Sequence, residues 1–283
     1  MKSTTGMWMA IASLGLAGCA ALDVPGPLSA ETVWVVTADH QLVKFNSGQP
    51  QRPLEARPLQ GLAAGEAVVG VDYRVARGVL FALTDAGRLY TVNTASGALT
   101  AVASTPVGEA FRGQAFGFDF NPTVDRIRVV NESGQNLRLH PDTGALASRD
   151  PDLAYAPTDP HAGKKPQVVA AAYTYNTRDE KLTTNFAIDR ALGTLVMQGT
   201  REGVQPAVSP NTGQLFTVGP LGTGPLDRVS FDISDVKNVA LAAIARQGSG
   251  RTGLYQINLE TGAATPLGTL AVRGHVRGLA IEP

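Results

Sequence analysis

The sequence predicts an all-β protein, a β-propeller of six blades, and three observations lead to this prediction. Gly and Pro are abundant, β-branched residues dominate the apolar runs, and one phrase of two short strands joined by a turn recurs. Residues 89–100, LYTVNTASGALT, return as residues 254–265, LYQINLETGAAT, and weaker copies begin at residues 42 and 137. The copies at 42, 89 and 137 are about 47 residues apart, close to the length of one four-stranded blade.

The N-terminus indicates a targeting segment. Lys2 supplies a positive charge, and residues 7–16 are apolar but too few to span a bilayer. The stretch from Leu16 to Cys19 resembles the lipobox of bacterial lipoproteins, and Cys19 is the only cysteine of the chain. We therefore expect a signal peptide over residues 1–18, lipidation of Cys19 and a tether over residues 19–30. An ordinary secretory signal with an incidental cysteine is the alternative.

Charge and the residue after the lipobox bear on location and partners. Acyl chains on Cys19 would hold the protein to a membrane. Ala20 favours the outer membrane, because an Asp at that place favours retention in the inner membrane. The formal net charge is zero, which argues against nucleic acid as a partner. We expect a monomer in the cell envelope, with an envelope protein or a glycan as its partner.

Residues 31–283 are long enough for a single propeller domain. Five predicted strand pairs supply five blades: 68–74 with 79–83, 117–122 with 126–130, 168–176 with 181–188, 205–210 with 214–218, and 239–244 with 253–257. The sixth blade is split, because residues 276–283 form a first strand and residues 31–37 a second. Pairing of the N- and C-terminal strands would close the ring and remove exposed edges. Five blades with frayed ends, or an open two-sheet sandwich, are the alternatives.

Polar residues that could form a site concentrate in the strand pair 117–122 with 126–130, the third blade when the split blade is counted first. Asp119 and Asn121 face the same side of their strand, and Asp72 occupies the place of Asp119 in the preceding blade. Arg126 and Arg128 share one face of the next strand and could orient a carboxylate. These five residues are the ligand-binding candidates, in a polar channel that takes an ion or a small ligand. The alternative is that they pair with each other and with backbone amides and brace the blades.

Catalytic signatures are missing from the sequence. It has no H-E-x-x-H, G-x-S-x-G, G-x-G-x-x-G or P-loop motif, and its four His residues lack metal-ligand spacing. Catalytic residues and cofactors therefore stay unknown, and no metal site is assigned. The insertion 149–166 carries Asp150, Asp152 and Asp159, which could hold Ca²⁺ or form a solvated loop. We expect a binding or scaffold module, and a metal-dependent hydrolase of the six-bladed type, with its site at the channel mouth, is the alternative.

A longer motif carries a family resemblance. Residues 113–130, GQAFGFDFNPTVDRIRVV, followed by GQNLRL at 134–139 and PDTG at 141–144, resemble domain-of-unknown-function family 4394. The resemblance covers residues 31 to 281 and departs at 176–182, a short charged turn. It implies an envelope or secreted β-propeller-like domain. It implies no established activity, so no functional residue is carried over to this chain.

Overall fold

The computed structural model describes residues 26–283, so the predicted signal peptide, Cys19 and the first part of the tether lie outside the described residues. Within that range 21 strands form five sheets, and the only helical elements are two short 3₁₀ turns. None of these described helical turns is long and apolar enough to cross a membrane. The all-β propeller prediction is confirmed, but the described chain forms five blades, and the prediction of six is wrong.

The blades are numbered I to V. Blade I contains β1 (Thr32–Thr37), β2 (Gln41–Asn46), β3 (Pro53–Pro58) and β21 (Val276–Ile281). Blade II contains β4 (Val68–Arg74), β5 (Val79–Thr84), β6 (Leu89–Val92) and β7 (Leu99–Ala101). Blade III contains β8 (Phe116–Asn121), β9 (Arg126–Asn131), β10 (Asn136–Leu139) and β11 (Leu146–Arg149).

The other two blades differ in strand number. Blade IV contains β12 (Ala154–Tyr155), β13 (Val168–Tyr173), β14 (Asn185–Asp189), β15 (Thr194–Gln198) and β16 (Gln214–Pro220). Blade V contains β17 (Leu226–Ile233), β18 (Ala240–Arg246), β19 (Thr252–Ile257) and β20 (Ala264–Thr269). The extra strand β12 runs parallel to β16 and forms the outer edge of blade IV.

One strand of each blade lies at the centre of the ring. These innermost strands are β21, β4, β8, β13 and β17, and each contacts the next in that cyclic order. In blade I, β21 pairs antiparallel with β1, and Trp34 lies opposite Ala280. The strands at the two ends of the described chain are therefore hydrogen-bonded neighbours within a single blade.

The miscount of blades arose in blade IV. Residues 205–210, predicted as the first strand of a separate blade, form a largely exposed loop. Pro206 and Pro210 lack the backbone N–H that a central strand must donate. Strand β16 instead pairs with β15, so it is an outer strand of blade IV. The blades predicted from residues 168–188 and from residues 205–218 are therefore one blade, blade IV.

Blade V was also predicted in part. The hairpin predicted over residues 239–257 is present, but β18 and β19 are the second and third strands of the blade. The innermost strand is β17, which pairs with β18 over residues 226–233 and was not predicted. Its polar residues Asp227, Arg228 and Ser230 interrupt the apolar pattern that identified the other innermost strands.

The recurring phrase forms the third strand, the turn and the fourth strand of a blade. In blade II, the side chain of Asn93 accepts hydrogen bonds from the amides of Ala95 and Ser96. Gly97 then takes a φ of 77°, a left-handed conformation that suits glycine. Asn258 opens the corresponding turn of blade V in the same way. The phrase recurs because each copy encodes its own turn locally.

The innermost strands pack so closely that the middle of the axis is filled. A Cβ atom on Gly117 would lie 2.6 Å from the backbone nitrogen of Ala171, and one on Gly70 would lie 2.5 Å from the Cβ of Phe118. The space that remains there is about 10 Å³. The axis is therefore not an open polar channel, and ligand-sized cavities lie elsewhere.

Candidate functional site

Three buried carboxylates meet on the axis near the lower face. We define the lower face as the end of the ring where the innermost strands finish, which carries the turns at 75–78, 122–125, 174–184 and 234–239. Asp72 of β4, Asp119 of β8 and Asp232 of β17 form this axial cluster, and each offers one oxygen within 4.8 Å of the other two. They meet because the three residues occupy similar positions near the ends of innermost strands, and these strands surround the axis.

Each aspartate joins its blade to the next one around the ring. The bonds run from Phe120 N to Asp72 Oδ2 at 2.7 Å, from Tyr173 N to Asp119 Oδ1 at 2.9 Å, and from Ile281 N to Asp232 Oδ2 at 2.6 Å. Blades IV and I have Ala172 and Ala280 at the matching place, so three of the five junctions carry this contact. The carboxylates thus satisfy backbone donors that sheet pairing leaves open.

Burial and mutual repulsion change the protonation of the axial cluster. Burial, together with the neighbouring carboxylates, raises the pKa of Asp72 and of Asp119 well above the ordinary value. Burial is also the main cause that raises the pKa of Asp232 to about 7. A side-chain hydrogen bond between Asp72 and Asp119 requires a proton on one of the two carboxyl groups. The cluster is therefore partly protonated at neutral pH.

The axial cluster has the chemistry to hold a cation but little space for a substrate. Carboxylate oxygens are the ligands that Ca²⁺ prefers. The cavity beside the cluster, which Tyr175 and Asp235 also line, measures about 10 Å³, room for about one water molecule. Both oxygens of Asp72 already accept amide hydrogen bonds, from Tyr73 and Phe120. The arrangement supports bracing of the ring more directly than catalysis.

The arginine pocket is a cavity of about 410 Å³ between blades III and IV, open at the lower face. This volume lies in the range of small-molecule sites. Its lining consists of Asn121, Thr123, Val124, Arg126, Arg128, Arg138, Tyr173, Thr183, Ser209, Pro210 and Asn211. Apart from Val124 and Pro210, every lining side chain carries a hydrogen-bonding group.

Arg128 forms the buried floor of the arginine pocket. Its side chain is 1% exposed, and Nη1 donates to Asp150 Oδ2 at 2.9 Å. Nε donates to the Tyr173 hydroxyl at 2.9 Å, and Nη2 donates to Asn211 Oδ1 at 2.6 Å, both in blade IV. Arg128 therefore braces two blades and places a fixed positive charge beneath the cavity.

The other two arginines leave donors available to the pocket. Arg126 donates through Nη1 to the carbonyl of Asp125 at 2.9 Å, and none of the ion pairs among the described residues includes it. Arg138 binds Asp150 through Nε and Nη2 at 2.9 and 2.8 Å. Burial opposes ionisation of Asp150, but its bonds to Arg138 and Arg128 hold its pKa below the usual value. Three guanidinium groups thus face one carboxylate, and the pocket carries a net positive charge.

The tyrosine pocket, a cavity of about 480 Å³, adjoins the arginine pocket, and Asn121 lines both. Its lining is more apolar and includes Val75, Phe120, Tyr175 and Leu182. Tyr175 also lines the small cavity beside the axial cluster. The two pockets together form the lower cleft, which runs from near the axis across blade III toward blade IV.

The structure separates the five predicted site residues into two groups. Asp72 and Asp119 meet in the axial cluster, while Arg126 and Arg128 line the arginine pocket. Asn121 accepts hydrogen bonds from Thr123 in its own turn and stands where the two pockets adjoin. The predicted pairing of Asp119 with the arginines is not seen. Arg128 lies opposite Asp119 in the strand register but bonds to other residues.

Asp232, Arg138 and Tyr175 belong to the site but are not among the five candidate residues. A signal for Asp232 exists, because a triplet of an Asp flanked by two apolar residues finishes at the last residue, or one residue before it, of three innermost strands. The segments that share this signal are 71–73, 118–120 and 231–233. No comparable signal marks Arg138 or Tyr175, since their places depend on strand pairing and on the fold of a long turn.

The acidic residues of the insertion 149–166 do not assemble an ion site. Asp150 is bound by Arg128 and Arg138, and Asp159 accepts a hydrogen bond from the amide of Thr217 at 2.6 Å. Asp152 is about half exposed and lies 3.6 Å from Arg112. Over residues 26–283, the axial cluster is the one group of carboxylates that could hold a metal ion.

The ring of five sheets, each with four antiparallel strands and one with a further parallel edge strand, defines the class of this protein, a five-bladed β-propeller. Residues 41–280 match the family model described as "Domain of unknown function (DUF4394)", and the chain belongs to this family. A search of curated proteins finds no significant match.

Solved structures resemble the fold at low sequence identity. A structural genomics protein of unknown function from Bacteroides thetaiotaomicron is 11% identical with a TM-score of 0.50, over 86% of this chain and 62% of that one. Dihydro-heme d1 dehydrogenase NirN, in complex with DHE, is 16% identical with a TM-score of 0.40, over 91% of this chain and 48% of that one. A chain of the nidogen/laminin complex is 8% identical with a TM-score of 0.48, over 89% of this chain and 98% of that one. This chain thus spans about half the length of NirN, and these similarities concern the fold alone.

Proposed function

We propose that this protein is a saccharide-binding module of the cell envelope, held to the outer membrane by a lipid on Cys19. The observation that carries the proposal is the lower cleft, two adjoining cavities of about 410 and 480 Å³ on one face of the ring. One cavity presents hydroxyl, amide and guanidinium groups, and the wall of the other contains the partly exposed Tyr175 beside the buried Phe120. Sugars need both, because their hydroxyl groups require hydrogen-bond partners while their ring faces pack on aromatic groups.

The contacts of residues 26–29 indicate which face of the ring would lie toward an anchor on Cys19. Gly26 accepts a hydrogen bond from Gln49 at 2.8 Å, and the Ser29 amide donates to Asn46 at 2.8 Å, so the first described residues lie against the turn after β2. That turn belongs to the lower face. Residues 20–25 would allow a separation of at most about 25 Å between the lipid on Cys19 and Gly26. In the proposed arrangement the cleft faces the lipid layer, where it would meet glycans close to the membrane.

Two matched substitutions test the proposed cleft. Ala76 is exposed and lines the tyrosine pocket, so Ala76→Trp should fill the cleft without disturbing the core. Ala191 is also exposed and lines a cavity of about 440 Å³ on the opposite face, so Ala191→Trp is the control. Binding to an array of neutral and acidic oligosaccharides should be lost in Ala76→Trp and retained in Ala191→Trp. A wild-type protein that binds no saccharide, or binding that survives Ala76→Trp, would contradict the proposal.

A metal-dependent hydrolase is the second candidate, and the axial cluster is the observation that favours it. Asp232 adds a third carboxylate to Asp72 and Asp119, which the sequence alone had placed at the channel mouth. Metal analysis of the purified protein separates the two candidates. One equivalent of Ca²⁺ or Zn²⁺, lost on replacement of Asp232 by Asn, would favour the hydrolase. Metal-free protein that binds saccharides would favour the binding module.

A further inference from the structure

We propose that Arg126 and Arg138 form an anion-recognition end of the lower cleft, so that its ligand is an acidic saccharide carrying a carboxylate on the sugar. This inference rests on the proposed function and adds the charge of the ligand to it. Three features of the arginine pocket lead to it: the excess of guanidinium groups, the donors they leave available, and polar groups without partners beneath them.

The arginine residues that give the pocket its positive charge all lie in blade III. Arg126 and Arg128 alternate along β9, and Arg138 lies opposite Arg128 on β10, so all three project from one face of the sheet. Asp150 is the one carboxylate bonded to them. Asp125 and Asp142 are bound by Arg74, and Glu180 is an exposed residue that lines the adjoining tyrosine pocket. A ligand carboxylate would offset part of the remaining positive charge of this group.

The available donors lie at the mouth of the pocket and not at its floor. The guanidinium of Arg128 is committed to four partners and is buried. Arg126 is partly exposed and bonds only to carbonyl groups of its own turn, at 2.9 and 3.4 Å. The Arg138 side chain is 28% exposed and uses one edge on Asp150. A planar carboxylate can accept two parallel hydrogen bonds from such an arginine edge.

Polar atoms without a protein partner lie behind the pocket. Asn185 pairs with Tyr173 on one side and with Gln198 on the other in blade IV. Asn185 is 2% exposed, yet neither its Oδ1 nor its Nδ2 atom has a hydrogen-bond partner among the described residues, and the same holds for Gln198 Oε1. Buried amides are rarely left unsatisfied. Neither residue lines the pocket itself, so a bridging water next to Tyr173 would be needed to connect these amides to a ligand.

A cavity of similar size on the opposite face lacks this combination. The cavity of about 440 Å³ on the opposite face contains one arginine, Arg190, and several glycine residues. Arg190 donates to the carbonyl of Asp227 and to Gln167, as Arg126 donates to carbonyls of its own turn. Arg190 is therefore a matched control for Arg126, an arginine without an ion pair at the edge of a cavity of similar size.

The test compares one oligosaccharide with and without its charge. Isothermal titration calorimetry with the purified protein would use a trisaccharide of galacturonic acid and the methyl ester of the same trisaccharide. Charge-assisted hydrogen bonds contribute enough that the acid should bind at least about tenfold more tightly than the ester. Arg126→Gln should abolish this preference without lowering the thermal midpoint, Arg126→Lys should keep part of it, and Arg190→Gln should leave it unchanged.

The results separate this inference from the proposed function. Equal binding of acid and ester by the wild type, lost in Ala76→Trp, would overturn anion recognition and leave the saccharide-binding proposal in place. Absence of binding by either trisaccharide and by the whole array would overturn both. A preference for the acid that persists in Arg126→Gln would also overturn the assignment to Arg126.

Discussion

Replacing Asp119 by Asn should stabilise the protein at pH 8 and weaken the dependence of its stability on pH. The Asn Oδ1 atom can still accept the hydrogen bond from the amide of Tyr173, which Asp119 accepts at 2.9 Å. Its Nδ2 group can donate to Asp72, as the protonated carboxyl of Asp119 does. The variant therefore resembles the protonated state of Asp119 at every pH and avoids a second negative charge on the axis.

The magnitude follows from the linkage between protonation and folding. Burial raises the pKa of Asp232 from 3.8 to about 7. A carboxyl with a raised folded-state pKa contributes its stability in full below its unfolded pKa, near pH 4, and loses it as the pH rises through 7. At about 1.4 kcal/mol per pKa unit, Asp232 alone should lower the free energy of unfolding by about 4 kcal/mol between pH 4 and pH 8. Asp72 and Asp119, whose pKa values are also raised, act in the same direction.

Urea unfolding followed by circular dichroism at several pH values between 4 and 8 would measure this effect. The wild type should be most stable in mildly acidic solution, and Asp119→Asn should show a smaller loss toward pH 8. Asp119→Ala should be less stable than the wild type at pH 5 by about 1–3 kcal/mol, because the buried Tyr173 amide loses its acceptor. Asn121→Ala is the control, since Asn121 bonds to Thr123 in its own turn and not to the axis.

Two results would refute the reasoning. A wild-type stability that stays constant between pH 5 and pH 8 would show that folding does not raise the pKa values of the axial carboxyl groups. A variant Asp119→Asn that is less stable than the wild type at pH 8 would show that the negative charge of Asp119 is itself required. Stability retained by Asp119→Ala would remove the bracing role and return Asp119 to the ligand-binding candidates.

Three further predictions concern the anchor, the chain ends and the axis. Cys19→Ala should release the protein from the membrane fraction after a high-salt wash and abolish labelling with a palmitate analogue; retention would contradict the lipoprotein prediction. Deletion of residues 279–283 should lower the thermal midpoint of the whole domain, because it removes the partner of β1 and the donor to Asp232, and an unchanged midpoint would contradict this. Gly117→Ala should destabilise by about 1–3 kcal/mol, since its Cβ would lie 2.6 Å from the Ala171 nitrogen, whereas Gly250→Ala, with nothing within 4 Å, should not.

Much of the architecture was predictable because it depends on short-range interactions. The turn after Asn93 and its copy after Asn258 are encoded by a few neighbouring residues, so the third and fourth strands of those blades could be identified. Apolar residues at every second position, from Val69 on in β4 and from Phe116 on in β8, marked these two innermost strands and placed Asp72 and Asp119 on equivalent positions. The blade count failed at β16 and β17, where the partner of a strand is decided by packing between distant segments and not by local pattern.

By itself, the sequence determined the all-β class, the repeating unit and most of the candidate residues, since periodicity and turn chemistry act over a few residues. The tertiary structure alone decided that the ring has five blades, that Asp232 joins Asp72 and Asp119, and that Arg138 stands beside Arg126 at the mouth of a cavity. These contacts join residues that are distant along the chain. Strand register and the closeness of the innermost strands bring them together, and both depend on how the sheets pack around the axis.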